Sequence, residues 1–297
     1  MKKILNSPAN YVDEMLAGLV AAHPEYYRLH GDSGKVVARA KAGAKGKVGI
    51  VTGGGSGHLP VFTGYVGEGL LDACAIGDVF ASPSAEQMAD AIRFADQGAG
   101  VLRLYGNYGG DILNFDMAGD LVEFDDITCT TVLLTDDVAS APPEEHEKRR
   151  GVAGMVYAFK TAGAAAEEGR DLDAVTAVAQ KTADYCRSIG VALSPCTVPQ
   201  AGKPTFEIAD DEIEMGMGIH GEPGIWRGKL RTADEIATEM MERLLADMPL
   251  SSGDKVSVMV NSLGATPPEE LYILYNKVKE PLEASGASIV MPLVGRY

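Results

Sequence analysis

The run Lys47-Val48-Gly49-Ile50-Val51-Thr52 passes directly into Gly53-Gly54-Gly55-Ser56-Gly57-His58, and this junction constrains the chain more than any other segment. A short, nearly continuous, β-branched apolar run is the pattern of a strand buried on both faces. Glycines at its end let the backbone approach a ligand with no Cβ in the way. The segments that follow repeat the theme. Ser82-Pro83-Ser84 reads as an N-cap with proline at the first helical position, opening a helix to about Asp96. Residues 101–105 read as the next strand, 111–124 as a helix and 129–134 as another strand. This alternation predicts a mostly parallel sheet with helices on its faces. Ligand sites in such sheets lie in the loops at the carboxyl ends of the strands. Residues 53–57 and Gly106-Asn107-Tyr108-Gly109-Gly110-Asp111 both fall at such ends.

The second half is less regular. Residues 171–189 predict an amphipathic helix, with Leu172, Val175, Val178, Thr182 and Tyr185 near helical spacing and Gly190 as its C-cap. A strand from Val191, a polar stretch over 209–214 and a glycine-rich loop follow. Beyond them come a helix over 233–246, a strand over 255–261, a helix over 267–282 and a last strand over 288–294. The expected fold class is α/β, with two domains that are each a β-sheet flanked by helices. Residues 1–185 would carry the first glycine loop, His58 and Asp111, and residues 186–297 would carry His220. No proline- or serine-rich linker marks that boundary. The charge cluster over 144–150 reads as a solvated helix start. The final strand stops three residues before the last residue, which leads to the expectation that the native chain is longer.

Composition narrows the partners. The chain has 297 residues, 46% hydrophobic and 23% charged, an ordinary globular balance, and a formal net charge of -16. That charge argues against nucleic acid and anionic lipid as partners. No apolar run approaches the roughly 18 residues of a membrane span, and the N-terminus lacks a signal-peptide core, so a cytoplasmic protein is expected. Cys74, Cys129, Cys186 and Cys196 form no C-x-x-C pair and are expected as buried free thiols.

The strongest candidate residue is His220, in Gly216-Met217-Gly218-Ile219-His220-Gly221-Glu222-Pro223-Gly224. A histidine among glycines has little side-chain cover, so its imidazole meets a ligand at short range. His58 has a similar setting. Two incidental surface histidines in turns would look the same singly; together they suggest one site assembled from two parts of the fold. Gly216-x-Gly218-x-x-Gly221 matches a dinucleotide fingerprint in letters only: no apolar strand precedes it and Pro223 stands where a helix would continue. There is no P-loop, and Ser56 lacks the final glycine of a nucleophile elbow. Asp111 is either a helix N-cap or a general base in a glycine-lined cleft, and Asp78 carries the same ambiguity. No ligand spacing for a metal is present, so none is expected.

Taken together, Gly53 to His58, Gly64-Tyr65-Val66-Gly67-Glu68-Gly69-Leu70-Leu71-Asp72-Ala73, Gly77-Asp78-Val79-Phe80-Ala81-Ser82-Pro83-Ser84, Asn107-Tyr108-Gly109-Gly110-Asp111-Ile112-Leu113-Asn114-Phe115 and the His220 run resemble the dihydroxyacetone kinase family, in its substrate-binding (K) subunit. The resemblance covers nearly the whole chain in order. It implies two α/β domains, a homodimer, and a role in glycerol metabolism. It also implies that this chain binds no cofactor itself: ADP or ATP and Mg²⁺ would sit on a separate nucleotide-binding (L) subunit. In bacterial members a phosphotransferase-system protein often rephosphorylates that nucleotide, and other members use ATP directly.

Carried onto these positions, the family implies that His220 bonds covalently to the C2 carbonyl of dihydroxyacetone or a similar small ketose, giving a hemiaminal. Asp111 would take the proton from the attacking hydroxyl, and His58 would hydrogen-bond and activate it. Gly55, Ser56, Gly57, Ser82, Asn107 and Gly218 are expected to bind substrate. One departure stands out: bacterial members usually carry lysine before Asn-Tyr, and here that place is Gly106. A roomier site for a four-carbon ketose such as erythrulose, or a ligand-sensing role in place of catalysis, both remain open.

Overall fold

A computed structural model describes residues 2–297 and divides into two compact units. The first comprises residues up to 135 together with 154–186 and 197–204; the second comprises 136–153, 187–196 and 205–297. The chain passes between them at 186/187. The chain also crosses at 135/136, 153/154, 196/197 and 204/205.

The first unit holds α1 (Tyr11–Ala22), β1 (Tyr27–His30), β2 (Val36–Arg39), β3 (Gly49–Ser56), β4 (Ala73–Val79), α2 (Ala85–Ala95), β5 (Val101–Gly106), α3 (Gly109–Glu123), β6 (Cys129–Leu134), α4 (Gly154–Glu167) and α5 (Leu172–Asp184). Its six strands are ordered β1-β2-β4-β3-β5-β6. Neighbours among β4, β3, β5 and β6 are parallel, while β1 and β2 add an antiparallel edge. The two-residue period of the strands divides the core. Val37, Ile50, Cys74, Ile76, Leu102 and Leu104 pack with α1, α4 and α5. Val36, Ala38, Val51, Ala73, Ala75, Val101 and Tyr105 pack with α2 and α3. The result is a three-layer α/β/α unit. β3 hands the chain to β4 on one side of it, and β5 hands the chain to β6 on the other. The carboxyl ends of β3 and β5 therefore flank a topological switch point, the crevice in which open α/β sheets bind ligands.

The second unit holds β7 (Val191–Ala192), β8 (Glu212–Met215), β9 (Trp226–Lys229), α6 (Ala233–Asp247), β10 (Lys255–Asn261), α7 (Pro268–Ala284) and β11 (Ser288–Gly295). β7-β8-β9 form an antiparallel sheet, and β10 and β11 a parallel pair. Ile213 and Met215 of β8 pack with Ile236 and Met240 of α6. No helix among the described residues is long and apolar enough to cross a membrane.

Several sequence expectations change. The N-cap of α2 is Ser84, not Ser82: its Oγ accepts from the Gln87 N–H, and Gln87 Oε1 accepts from the Ser84 N–H in return. This capping box satisfies two helix-end donors at once. α5 ends at Asp184, with Tyr185 rather than Gly190 closing it. The polar stretch over 209–214 contains the start of β8, whose Glu214 is buried. The charge cluster over 144–150 opens as a short exposed 3-10 turn, but its Arg149 is 1% exposed and pairs with Asp247 through both terminal nitrogens. Of the four free cysteines only Cys74 is buried; Cys196 is exposed.

Candidate functional site

The candidate residues fall into two groups, one in each unit. In the first unit, β3 is buried along its whole length, so its glycine run reaches the switch point as bare backbone. Gly54 and Gly55 are required by their neighbours. A Cβ on Gly54 would overlap the Phe62 ring, and one on Gly55 would lie 2.6 Å from the Ala81 nitrogen. Gly57 adopts φ +100°, a conformation that excludes most side chains, and delivers the chain into His58. The His58 ring is half-buried beside two aromatic rings, its centroid 4.7 Å from Phe80 and 6.0 Å from Phe62. The Ser56 hydroxyl is buried, and no partner for it is found among the described residues.

The loop after β4 packs onto the same backbone. The Phe80 N–H donates to the Ser56 carbonyl at 3.0 Å. Ser82 is free of capping duty and instead meets α3: Asn114 Nδ2 donates to Ser82 Oγ at 3.3 Å and to the Pro83 carbonyl at 2.8 Å. Asn114 thus fixes the Ser82 loop against the helix that carries Asp111. Sequence patterning gave Asn114 no role, because an asparagine inside a helix pattern looks neutral. The Asp78 side chain is 53% exposed and pairs with Lys35 at 3.3 Å, which makes it a surface ion pair.

Asp111 is not an N-cap. α3 opens at Gly109 with Tyr108 as its cap residue, which places Asp111 in the first turn, where exposed amides and the helix dipole favour an anion. Its influence extends into the core: burial, and then the Asp111 charge, push the Cys74 thiol well up. Burial also raises the Tyr105 hydroxyl to about 12, with Asp116 and Asp111 adding to the effect and Arg103 opposing it. Asn107 is half-buried at the end of β5, and its N–H donates to the Leu134 carbonyl at 3.1 Å. Gly106 is buried and pairs with Leu134 across the sheet. Ser56 closes β3, and Ser82, Asn107, Asp111 and His58 stand on loops or first turns at the carboxyl ends of the strands.

In the second unit, β8 ends at Met215 and the chain turns at once into the His220 loop. No apolar strand precedes Gly216, but a short alternating one does: in β8, Glu212 and Glu214 alternate with Ile213 and Met215. The dinucleotide reading still fails, since β9 and not a helix follows the loop. The loop is closed by the Ile225 N–H donating to the Met215 carbonyl at 2.7 Å and by the Gly224 N–H donating to Glu214 Oε1 at 2.7 Å. Glu214 Oε2 also accepts from Arg227 Nε at 2.8 Å. Burial works to raise the Glu214 carboxyl, but the Gly224 and Arg227 hydrogen bonds outweigh it and hold it below its ordinary value.

His220 is held by Glu222, a residue that the sequence reading left without a role. The backbone N–H of His220 donates to Glu222 Oε2 at 2.9 Å, and its Nδ1 lies 3.0 Å from Oε1. The two side chains are 27% and 33% exposed. Burial would raise the Glu222 carboxyl, yet the hydrogen bond with the His220 ring and those from backbone N–H groups dominate and hold it at about 2. Gly218 makes room for this pair, since a Cβ there would overlap the Glu222 carboxylate and the Arg150 guanidinium. The signal was present in the sequence: a carboxylate two residues from a histidine in a glycine loop. Among the described residues, no three His, Cys, Asp or Glu side chains gather as a metal site.

The chain is 47% identical over 298 residues to the "PTS-dependent dihydroxyacetone kinase 1, dihydroxyacetone-binding subunit DhaK" of Listeria innocua, covering 100% of this chain and 90% of that protein. It is 44% identical to the "L-erythrulose kinase" of Pectobacterium atrosepticum, across 99% of this chain and 50% of that longer protein. The solved structure of the "dihydroxyacetone kinase operon co-activator Dha-DhaQ" superposes with a TM-score of 0.88 at 32% identity, over 95% of this chain and 86% of that one. The Dak1 domain model matches residues 17–297, and the chain belongs to that family.

Proposed function

We propose that this chain is the ketose-binding subunit of a dihydroxyacetone-type kinase, a phosphotransferase with an alcohol group as acceptor. The observation that carries the reading is the His220 loop: a partly exposed imidazole backed by a carboxylate and surrounded by glycine, in a chain 47% identical to a protein named as a dihydroxyacetone-binding subunit. His220 captures the ketone as a hemiaminal at C2, which distinguishes ketones from simple polyols and orients the terminal hydroxyl. Asp111 accepts the proton of that hydroxyl as it attacks phosphate, and His58 hydrogen-bonds it. Gly55 and Gly57 offer backbone without a Cβ, Ser56 and Ser82 offer hydroxyls, Asn107 offers an amide, and Gly218 clears the space beside His220.

The nucleotide and Mg²⁺ belong to a separate nucleotide-binding partner subunit, consistent with the missing P-loop. Either ATP or a phosphotransferase-system protein supplies the phosphate. The protein acts in the cytoplasm, in glycerol metabolism, as a homodimer. A second reading, a four-carbon ketose such as erythrulose as substrate, is favoured by Gly106, which puts no side chain at the end of β5, and by similarity to a protein named as an erythrulose kinase. Reconstitution with the nucleotide-carrying subunit of a dihydroxyacetone kinase tests both. Turnover is expected, and the preferred ketose reports what Gly106 does. Ketone binding without turnover would instead match a co-activator, as the DhaQ structure is named.

A further inference from the structure

We infer that Glu222 is a positioning residue that fixes His220 as its Nδ1–H tautomer, so that Nε2 is the ring atom that bonds to a carbonyl carbon. The inference rests on the ketose-capture reading for its consequence but not for its geometry. Glu222 presents one oxygen to the His220 backbone N–H at 2.9 Å and the other to Nδ1 at 3.0 Å. An ionised carboxylate only accepts hydrogen bonds, so Nδ1 carries the proton toward it. In the neutral ring the lone pair then sits on Nε2. The depressed Glu222 pKa keeps the carboxylate in its accepting form throughout the neutral range.

The carboxylate is well matched to this task, and its amide is not. A glutamine has one accepting oxygen and one donating nitrogen. If the oxygen faces the backbone N–H, the amide NH₂ faces Nδ1, which must then accept, and the ring proton moves to Nε2. If the oxygen faces Nδ1, the NH₂ opposes the backbone N–H and the loop turn is disturbed. The absence of a Cβ on Gly218 leaves the carboxylate its space, and the Arg150 guanidinium, which the same Cβ would meet, is tied to Asp137 and to the Gly216 carbonyl.

The capture step balances as follows. The Nε2 lone pair forms a bond to the carbonyl carbon, the C=O π pair moves to oxygen, and that oxygen takes a proton from solvent. The ring becomes an N-substituted imidazolium still bearing Nδ1–H, and its positive charge lies against the Glu222 carboxylate. Glu222 therefore stabilises the adduct as well as orienting the attacking ring.

Nitrogen NMR of the intact protein labelled with ¹⁵N-histidine reads the tautomer directly. At neutral pH the wild-type His220 resonances, assigned by their loss in His220→Asn, should show a protonated Nδ1 and an unprotonated Nε2. Glu222→Gln should shift the ring toward the Nε2–H form and slow ketone capture by up to about 10⁴-fold, the scale of effect seen when a catalytic histidine is left in the wrong tautomer. Glu222→Asp should retain part of the Nδ1–H signal and of capture. A wild-type ring protonated on Nε2, or a Glu222→Gln protein that captures ketone at the wild-type rate, would overturn the inference. The wild-type spectrum needs no variant to fold. A wild-type Nδ1–H ring in a protein that captures no ketone would uphold the tautomer and refute the ketose reading.

Discussion

Arg150 anchors the first residue of the His220 loop: its Nη2 donates to the Gly216 carbonyl at 3.0 Å while its Nε donates to Asp137 Oδ2 at 2.9 Å. The Arg150 and Asp137 side chains are 12% and 4% exposed. Removing the guanidinium leaves a buried carboxylate without its main partner, a situation that costs about 3–5 kcal/mol. Arg150→Met should therefore lower unfolding free energy by that order in denaturant titration and weaken ketone capture, because the loop loses its anchor. A variant as stable as wild type would show that the pair contributes nothing net.

Gly218→Ala is a smaller change with a directed effect. The added methyl overlaps Glu222 and Arg150, so the carboxylate must move away from His220. Overpacking of this kind costs about 1–3 kcal/mol. Capture should fall more steeply than thermal stability when adduct yield and melting temperature are measured side by side. An unchanged adduct yield would mean that Glu222 can shift without consequence for His220.

The Glu222 pKa carries a pH signature. A carboxyl whose pKa is lowered on folding stabilises the fold above its unfolded value and loses that contribution as pH falls through the folded one. For Glu222 the window runs from 4.5 down to about 2. The stability difference between wild type and Glu222→Gln should shrink as pH falls from 4.5 toward 2. A difference that grows or stays level as pH falls from 4.5 toward 2 would contradict the lowered Glu222 carboxyl.

Asp111→Asn separates capture from transfer. The amide keeps the shape of the first turn of α3 but cannot take a proton, so ketone binding should persist while phosphate transfer drops by about 10²–10⁴-fold. Normal turnover would assign the base to another group.

The strands and helices that lie between turn signals were legible in the sequence. β6 and β10 match their expected bounds, and α3 and α6 begin or end within two residues of theirs. α4 had no signature, because its glycines and alanines are buried on most sides and leave no polar stripe to set a period. β8 was hidden by the glutamates that alternate along it: Glu214 is satisfied by Gly224 and Arg227 only once the loop has closed. Arg149 looked solvated because its partner, Asp247, stands 98 residues away. The two glycine-embedded histidines were visible as candidates, but the groups that orient them, Phe80 and Phe62 beside His58 and Glu222 beside His220, emerge from folded loops.

The most direct test of the account is the intact mass of the protein after incubation with dihydroxyacetone and, separately, erythrulose, with any adduct trapped and mapped to a residue. The account predicts one ketone equivalent on His220, absent in His220→Ala, with the better ligand reporting the effect of Gly106. A folded protein that gains no mass with either ketone, or an adduct that survives in His220→Ala, would contradict it.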